Sequence, residues 1–99
     1  MAPSTQQSFQ LASIRRKIDH LDQRLLRLLN QRVSLALQIG RIKHQKKWPV
    51  YDARREVFVL RRLTQANDGP LSSRAVQHIF QAILCECRRR ERTSKRPPS

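Results

Sequence analysis

Leu11, Ile14, Ile18, Leu21, Leu25, Leu28, Arg32, Leu35, Ile39 and Ile42 follow one another at intervals of three and four. That spacing places them on one face of a single long helix, as a heptad-like stripe. Arg32 is the only polar residue in it. A guanidinium is always charged, and stripping its water is costly unless an anion meets it. Lys43 follows 11 residues later, within about 20° of the same face and roughly 16 Å along the axis. Two cations therefore point into one helical interior, and the chain reads as built to enclose an anion.

Ninety-nine residues bound the chain to one small domain. The 21 Lys and Arg against 7 Asp and Glu give a formal charge of +14, so an anionic partner is the default expectation. Nucleic acid, an acidic protein and a small polyanion are the candidates. Cys85 and Cys87 stand two apart in a helical stretch, hence on different faces. They are poorly placed for a mutual disulfide and too few for a structural zinc, which fits reduced thiols and a cytoplasmic location. The polar start has no apolar signal core, and no run approaches membrane-spanning length.

Residues 1–10, with Pro3, Ser4, Thr5 and their glutamines, read as a flexible N-terminal arm. The helical stripe then runs from about Leu11 to Lys46 without a proline, roughly 50 Å of helix. Gly40, the one glycine inside it, marks a close packing contact. Pro49 ends the helix or caps the following loop. Asp52 stands where an N-cap belongs, ahead of a second helix with Val57, Leu60 and Leu63 inward. Asn67-Asp68-Gly69-Pro70 stops it, with glycine expected in a left-handed cap. Ser72 or Ser73 caps a third helix with Val76, Ile79, Phe80, Ile83, Leu84 and Cys87 inward. Residues 11–92 form the domain, and 93–99 read as a basic, proline-rich disordered tail. No β pattern is visible. The expected class is all-α, with three helices per chain, one of them very long. Two shorter helices cannot cover the long one, so its stripe calls for a second copy: an obligate, intertwined homodimer. A protruding coiled-coil stalk is the alternative, and it leaves Arg32 as an unexplained buried charge.

Single charged residues have ordinary explanations. Arg32 could set helix register, Lys43 could answer the helix dipole, Asp52 could only cap, and Arg55 with Glu56 could be a solvated face. Together they point elsewhere. Asp52 and Glu56 share a helical face, and a carboxylate beside Arg32 and Lys43 describes a polar pocket for an anion that carries a hydroxyl. Arg15 lies 17 residues before Arg32, roughly 25 Å away and about 100° round the helix, too far to serve the same small ligand. In an antiparallel dimer, Arg15 of one chain could close the pocket of the other.

These residues carry a resemblance. Ile14-Arg15-Arg16-Lys17-Ile18-Asp19-His20-Leu21-Asp22, then Leu25 through Arg32, is similar to the first helix of the all-helical (AroQ-type) chorismate mutases. So are Gly40-Arg41-Ile42-Lys43 and Pro49-Val50-Tyr51-Asp52-Ala53-Arg54-Arg55-Glu56. Ala66 through Ser72, with Ile79-Phe80-Gln81, resembles the mutase domain of bifunctional mutase–prephenate dehydratases. The likeness covers about residues 11 to 91. It implies an intertwined dimer of three-helix chains with two enclosed sites, acting on chorismate. The implied reaction, chorismate to prephenate in aromatic amino acid biosynthesis, is a concerted Claisen rearrangement without metal, cofactor or nucleophile. By resemblance, the partner chain's Arg15, with Arg32 and Lys43, holds the two carboxylates, and Arg55 acts on the ring-carboxylate side. Guanidinium clamps suit that positioning task. Lys43 would meet charge growing on the ether oxygen. Glu56 would bind the ring hydroxyl through its side chain and Asp52 through its backbone.

Two positions depart from the common bacterial pattern. Glu91 stands where a glutamine usually donates to the ether oxygen, although some family members carry glutamate there. A carboxylate cannot donate, so Glu91 in that role must be protonated, and activity would improve as pH falls. Its bland alternative is pairing with the arginines between Arg88 and Arg92. Cys87 replaces a serine that commonly contacts the ring carboxylate, and a packing role suits a thiol better. The same fold serves isochorismate pyruvate-lyases and aminodeoxychorismate mutases, and Asp52-x-x-Arg55-Glu56 favours the hydroxyl-bearing chorismate. A basic, nucleic-acid-binding helical dimer is the reading from another class, supported by the charge and Arg88-Arg89-Arg90. The absence of a legible DNA-reading motif, the few aromatics and the inward cations speak against it.

Overall fold

The structure, a computed structural model, describes residues 4–94, which divide into two compact units after Gln31. Three helices account for nearly all of them: α1 (Thr5–Lys46), α2 (Ala53–Ala66) and α3 (Ser73–Thr93). Among the described residues no helix is long and apolar enough to cross a membrane.

In the first unit α1 begins at Thr5, so the expected arm over residues 1–10 is helical from that point. A capping box explains the early start. The Gln7 N–H donates to Ser4 Oγ (3.2 Å) while the Ser4 N–H donates to Gln7 Oε1 (2.9 Å), satisfying two orphan donors of the first turn. Every residue from Ser4 to Gln31 except Ser13 is exposed. The stripe residues Leu11, Ile14, Ile18, Leu21, Leu25 and Leu28 are among them, each about half accessible to water.

The second unit holds the end of α1 together with α2 and α3. Its core is Ala36, Val59, Val76, Leu84 and Cys87. Gly40 is buried because α1 passes close to the end of α3. A Cβ on Gly40 would lie 2.7 Å from the Glu91 carbonyl oxygen and 2.9 Å from its Cα, and would also collide with Ser94 Oγ. The glycine expected to mark a close contact does so.

Chemistry at α1's end differs from expectation. Lys47 adopts the left-handed region (φ 59°). The Trp48 N–H donates to Lys43 O (2.8 Å) and the Lys47 N–H to His44 O (3.3 Å). This is a Schellman ending two residues before Pro49, so Pro49 follows the stop rather than making it. Asp52 caps α2, its Oδ1 accepting from the Arg55 N–H at 3.0 Å. Ser72, not Ser73, caps α3 by accepting from the Ala75 N–H at 3.0 Å. Gly69 has no positive φ, which corrects the expected glycine cap. Asn67 closes α2 instead: its side chain accepts from the Gly69 N–H (3.2 Å) and donates to Leu71 O (2.7 Å).

Two inward assignments fail. Val57 is 55% exposed and Ile79 43% exposed, while Val59 takes the buried place in α2. Leu60, Leu63, Phe80 and Ile83 are half-buried. The tail expected over 93–99 lies, from residue 95 onward, outside the described residues.

Candidate active site

A cavity of about 490 Å³ opens in the second unit, between the end of α1, α2 and the last turns of α3. Seven of the eight expected site residues line it: Arg32, Lys43, Asp52, Arg55, Glu56, Cys87 and Glu91. Arg15 belongs to the other unit and is not among the lining residues. Leu35, Ala36, Ile39, Val50, Val59 and Leu84 complete the wall, an apolar body set with a few polar groups.

Each polar group has a local reason for its place. Arg32 and Lys43 stand three turns apart on α1 and meet the same cavity, as their spacing requires. The half-buried Arg32 donates from Nη1 to Cys87 Sγ at 3.0 Å. A thiol sulfur is a weak acceptor and brings no full counter-charge. Among the described residues no carboxylate pairs with Arg32 or Arg55. Cys87 is therefore both packed, at 4% exposed, and in contact with a cation of the cavity. Cys85 is exposed, and both cysteines are free.

Lys43 is held at two points. Its Nζ donates to Val50 O at 2.7 Å and to Glu91 Oε1 at 3.0 Å, with both ionic side chains largely buried. Glu91 therefore pairs with Lys43 across two helices, rather than with the neighbouring arginines of its own helix. The backbone of Glu91 is fixed as well. Its carbonyl oxygen accepts from His44 Nε2 (3.1 Å), Ser94 Oγ (3.1 Å) and the Ser94 N–H (3.2 Å). Because a carbonyl only accepts, the His44 bond requires a proton on Nε2.

Asp52 uses Oδ1 on the Arg55 N–H and its carbonyl oxygen on the Glu56 N–H at 3.1 Å, so its side chain and its carbonyl both serve the start of α2. Glu56 faces the cavity from the first turn of α2 and pairs at its back with Arg88, Nε to Oε2 at 3.6 Å. The Arg88 guanidinium lies 4.8 Å from the centroid of the Tyr51 ring. Arg55 lies 5.4 Å from the Phe58 ring centroid. Sequence reasoning missed Arg88, Tyr51, His44, Ser94 and the Val50 carbonyl. Arg88, Tyr51, His44 and the Val50 carbonyl act across helices or loops, where no local periodicity announces them, whereas Ser94 bonds Glu91 three residues earlier as the C-cap of α3.

The lining carries three cations and three carboxylates and is formally neutral. It has donors in guanidinium and ammonium form, carboxylate acceptors among them, and, among the described residues, no Ser-His or Cys-His pair for nucleophilic attack. Among the described residues no cluster of His, Cys, Asp and Glu could hold a metal. Such a cavity can orient a small anion and stabilise charge.

A family model described as chorismate mutase type II matches residues 14–92. The chain belongs to that family. Relatives agree. A chorismate mutase of Methanocaldococcus jannaschii is 41% identical over 75 residues, 75% of this chain and 76% of that protein. The bifunctional chorismate mutase/prephenate dehydratase of Pseudomonas aeruginosa is 37% identical over 83 residues. That match covers 79% of this chain but 23% of the relative, so the chain spans about a quarter of that bifunctional protein's length. Among solved structures, the Thermus thermophilus chorismate mutase (Form II) superposes with a TM-score of 0.81 at 31% identity, covering 84% of this chain and 96% of that one. Helicobacter pylori chorismate mutase, in complex with prephenate, gives 0.80 at 28% identity, covering 90% and 97%. The three-helix, all-α architecture of this family is the one expected from the sequence.

Proposed function

We propose that this family member converts chorismate to prephenate, working as an intertwined homodimer in the cytoplasm with residues 11–92 as its mutase domain. One observation supports the reading most: Arg32, Lys43 and Arg55 converge with Glu56 and Glu91 on a single cavity of about 490 Å³, a size that suits a small dicarboxylate. In the reaction the ring carbon–ether oxygen bond breaks while the enolpyruvyl methylene bonds to the ring. No proton leaves and no external reagent enters. The protein's task is to hold the folded conformer and to stabilise charge as it gathers on the ether oxygen.

Of the three cations lining the cavity, Arg32 and Arg55 have no carboxylate partner among the described residues, and they take the substrate's carboxylates as bidentate clamps. Lys43 is pre-aligned by Val50 and Glu91, which leaves one of its three N–H groups for the substrate. Glu91, beside Lys43 at 3.0 Å, can donate to the same ether oxygen only in its protonated form. Glu56 accepts from the ring hydroxyl, the Asp52 backbone assists, and Cys87 packs beside the ring carboxylate while steadying Arg32.

Two observations support the homodimer. The α1 stripe from Leu11 to Leu28 is exposed along its length, and burying the accessible half of each such side chain gains on the order of 1 kcal/mol. The cavity's three cations only balance its own three carboxylates, so a dianion needs further positive charge. The partner subunit's Arg15 supplies it. The reduced thiols of Cys85 and Cys87 fit the cytoplasm.

Mixing Arg15→Ala with Lys43→Ala protein tests both claims together. Neither variant alone turns over chorismate well, but a heterodimer regains one complete pocket, so free exchange restores about a quarter of the wild-type rate. No recovery after subunit exchange has been confirmed overturns the shared site.

A further inference from the structure

Glu56 looks two ways. Its carboxylate lines the cavity, and its Oε2 lies 3.6 Å from Arg88 Nε, on a residue that is not part of the lining. The two side chains are 22% and 24% exposed, so water screens the pair only in part. Arg88 is fixed from its other side by the Tyr51 ring, 4.8 Å from the guanidinium to the centroid, a contact that orients the fork at small entropic cost. Among the described residues Arg88 is the only cation in ion-pair range of Glu56. Arg55, the residue before Glu56, lines the cavity but stacks toward Phe58.

We infer that Arg88 is a specificity-determining positioning residue, which offsets the charge of Glu56 from behind and so makes the hydroxyl end of the pocket select a neutral hydroxyl over an ammonium. The inference rests on the proposed mutase reading. Without Arg88, Glu56 would present an uncompensated carboxylate to the substrate. Such a group attracts a cationic substituent and repels the carboxylates of a dianion. With Arg88 behind it, the same oxygens still accept a hydrogen bond from a hydroxyl, while an ammonium in that place meets a second cation one carboxylate away. The lining is formally neutral without Arg88, so its charge also tips the local field toward the dianion. Arg88 touches no substrate and works through Glu56.

The test compares kcat/KM for chorismate and for 4-amino-4-deoxychorismate, in which an ammonium replaces the ring hydroxyl. In Arg88→Gln the preference for chorismate falls on the order of tenfold, chiefly through a higher KM for chorismate. Arg88→Lys keeps the charge and most of the preference. Arg88→Met keeps the apolar stem against Tyr51 and removes only the charge, so it gives the same fall should the glutamine variant not fold, as circular dichroism reads. A preference unchanged in the charge-removing variant that folds overturns the role of Arg88 while leaving the mutase reading intact. A wild-type chain that turns over neither compound overturns the mutase reading, and this inference with it.

Discussion

Lys43 Nζ sits 3.0 Å from Glu91 Oε1, joining the last turn of α1 to the end of α3. The same Nζ donates to the Val50 carbonyl at 2.7 Å. The cation proposed to meet the breaking bond is thus held by the Glu91 carboxylate and the Val50 carbonyl. In this pair Glu91 is an acceptor, and only a protonated carboxyl could donate to an ether oxygen.

Glu91→Gln separates these roles. The amide donates at any pH and no longer forms an ion pair with Lys43. The variant should turn over chorismate faster than the wild type at neutral pH, because its amide donates to the ether oxygen where the carboxylate only accepts. Initial rates of the two proteins on chorismate at neutral pH measure this. A variant slower than the wild type would remove Glu91 from the proposed mechanism.

Gly40→Ala would force α1 away from α3. The added methyl meets the Glu91 carbonyl oxygen at 2.7 Å and its Cα at 2.9 Å, both backbone atoms that cannot step aside alone. A loss of about 1–3 kcal/mol in stability is expected. Activity should fall along with it, since the shifted Glu91 no longer aligns Lys43. Thermal unfolding and kcat together check the prediction. A stable, fully active variant would mean that the site tolerates a displaced α3.

Lys47→Gly should act the other way. Lys47 holds φ 59° at the end of α1, a conformation that costs a residue with a Cβ about 1 kcal/mol. Glycine removes the strain at a cost of about 0.4–1 kcal/mol in unfolded-chain entropy, so the net gain is at most about 0.5 kcal/mol. Its side chain takes no part in the cavity lining, so kinetics should not change. Chemical denaturation resolves the shift.

Asp52 gives a third stability test that also probes function. Asp52→Ala removes the acceptor for the Arg55 N–H and should cost α2 about 1 kcal/mol. Asp52→Asn retains a capping oxygen and should keep both stability and turnover, because the hydroxyl contact is assigned to the backbone. Loss of turnover in a stable Asn variant would transfer that contact to the carboxylate.

Much of this arrangement was legible in the chain. The spacing of Arg32 and Lys43, the Asp52 cap and the glycine at position 40 all follow from helical periodicity and local chemistry, and each stands where expected. The Ser4–Gln7 box was equally local and could have been read, since Ser-x-x-Gln is a start signal. Its neglect put the helix start six residues late. Val57 and Ile79 were read inward because apolar residues at helical spacing do not say which flank of a stripe meets a partner element. The Lys43–Glu91 and Glu56–Arg88 pairs join residues 48 and 32 positions apart. Only the packing of three helices brings them together, and the sequence holds no short-range trace of it.

The most direct test follows the loss of chorismate absorbance with the purified chain and identifies the product by chromatography. The account predicts prephenate from the wild type, with turnover collapsing in Lys43→Ala and in Arg32→Ala while the dimer persists. An intact, folded chain that leaves chorismate unchanged from acid to neutral pH would contradict it, as would a Lys43→Ala variant of near-normal activity.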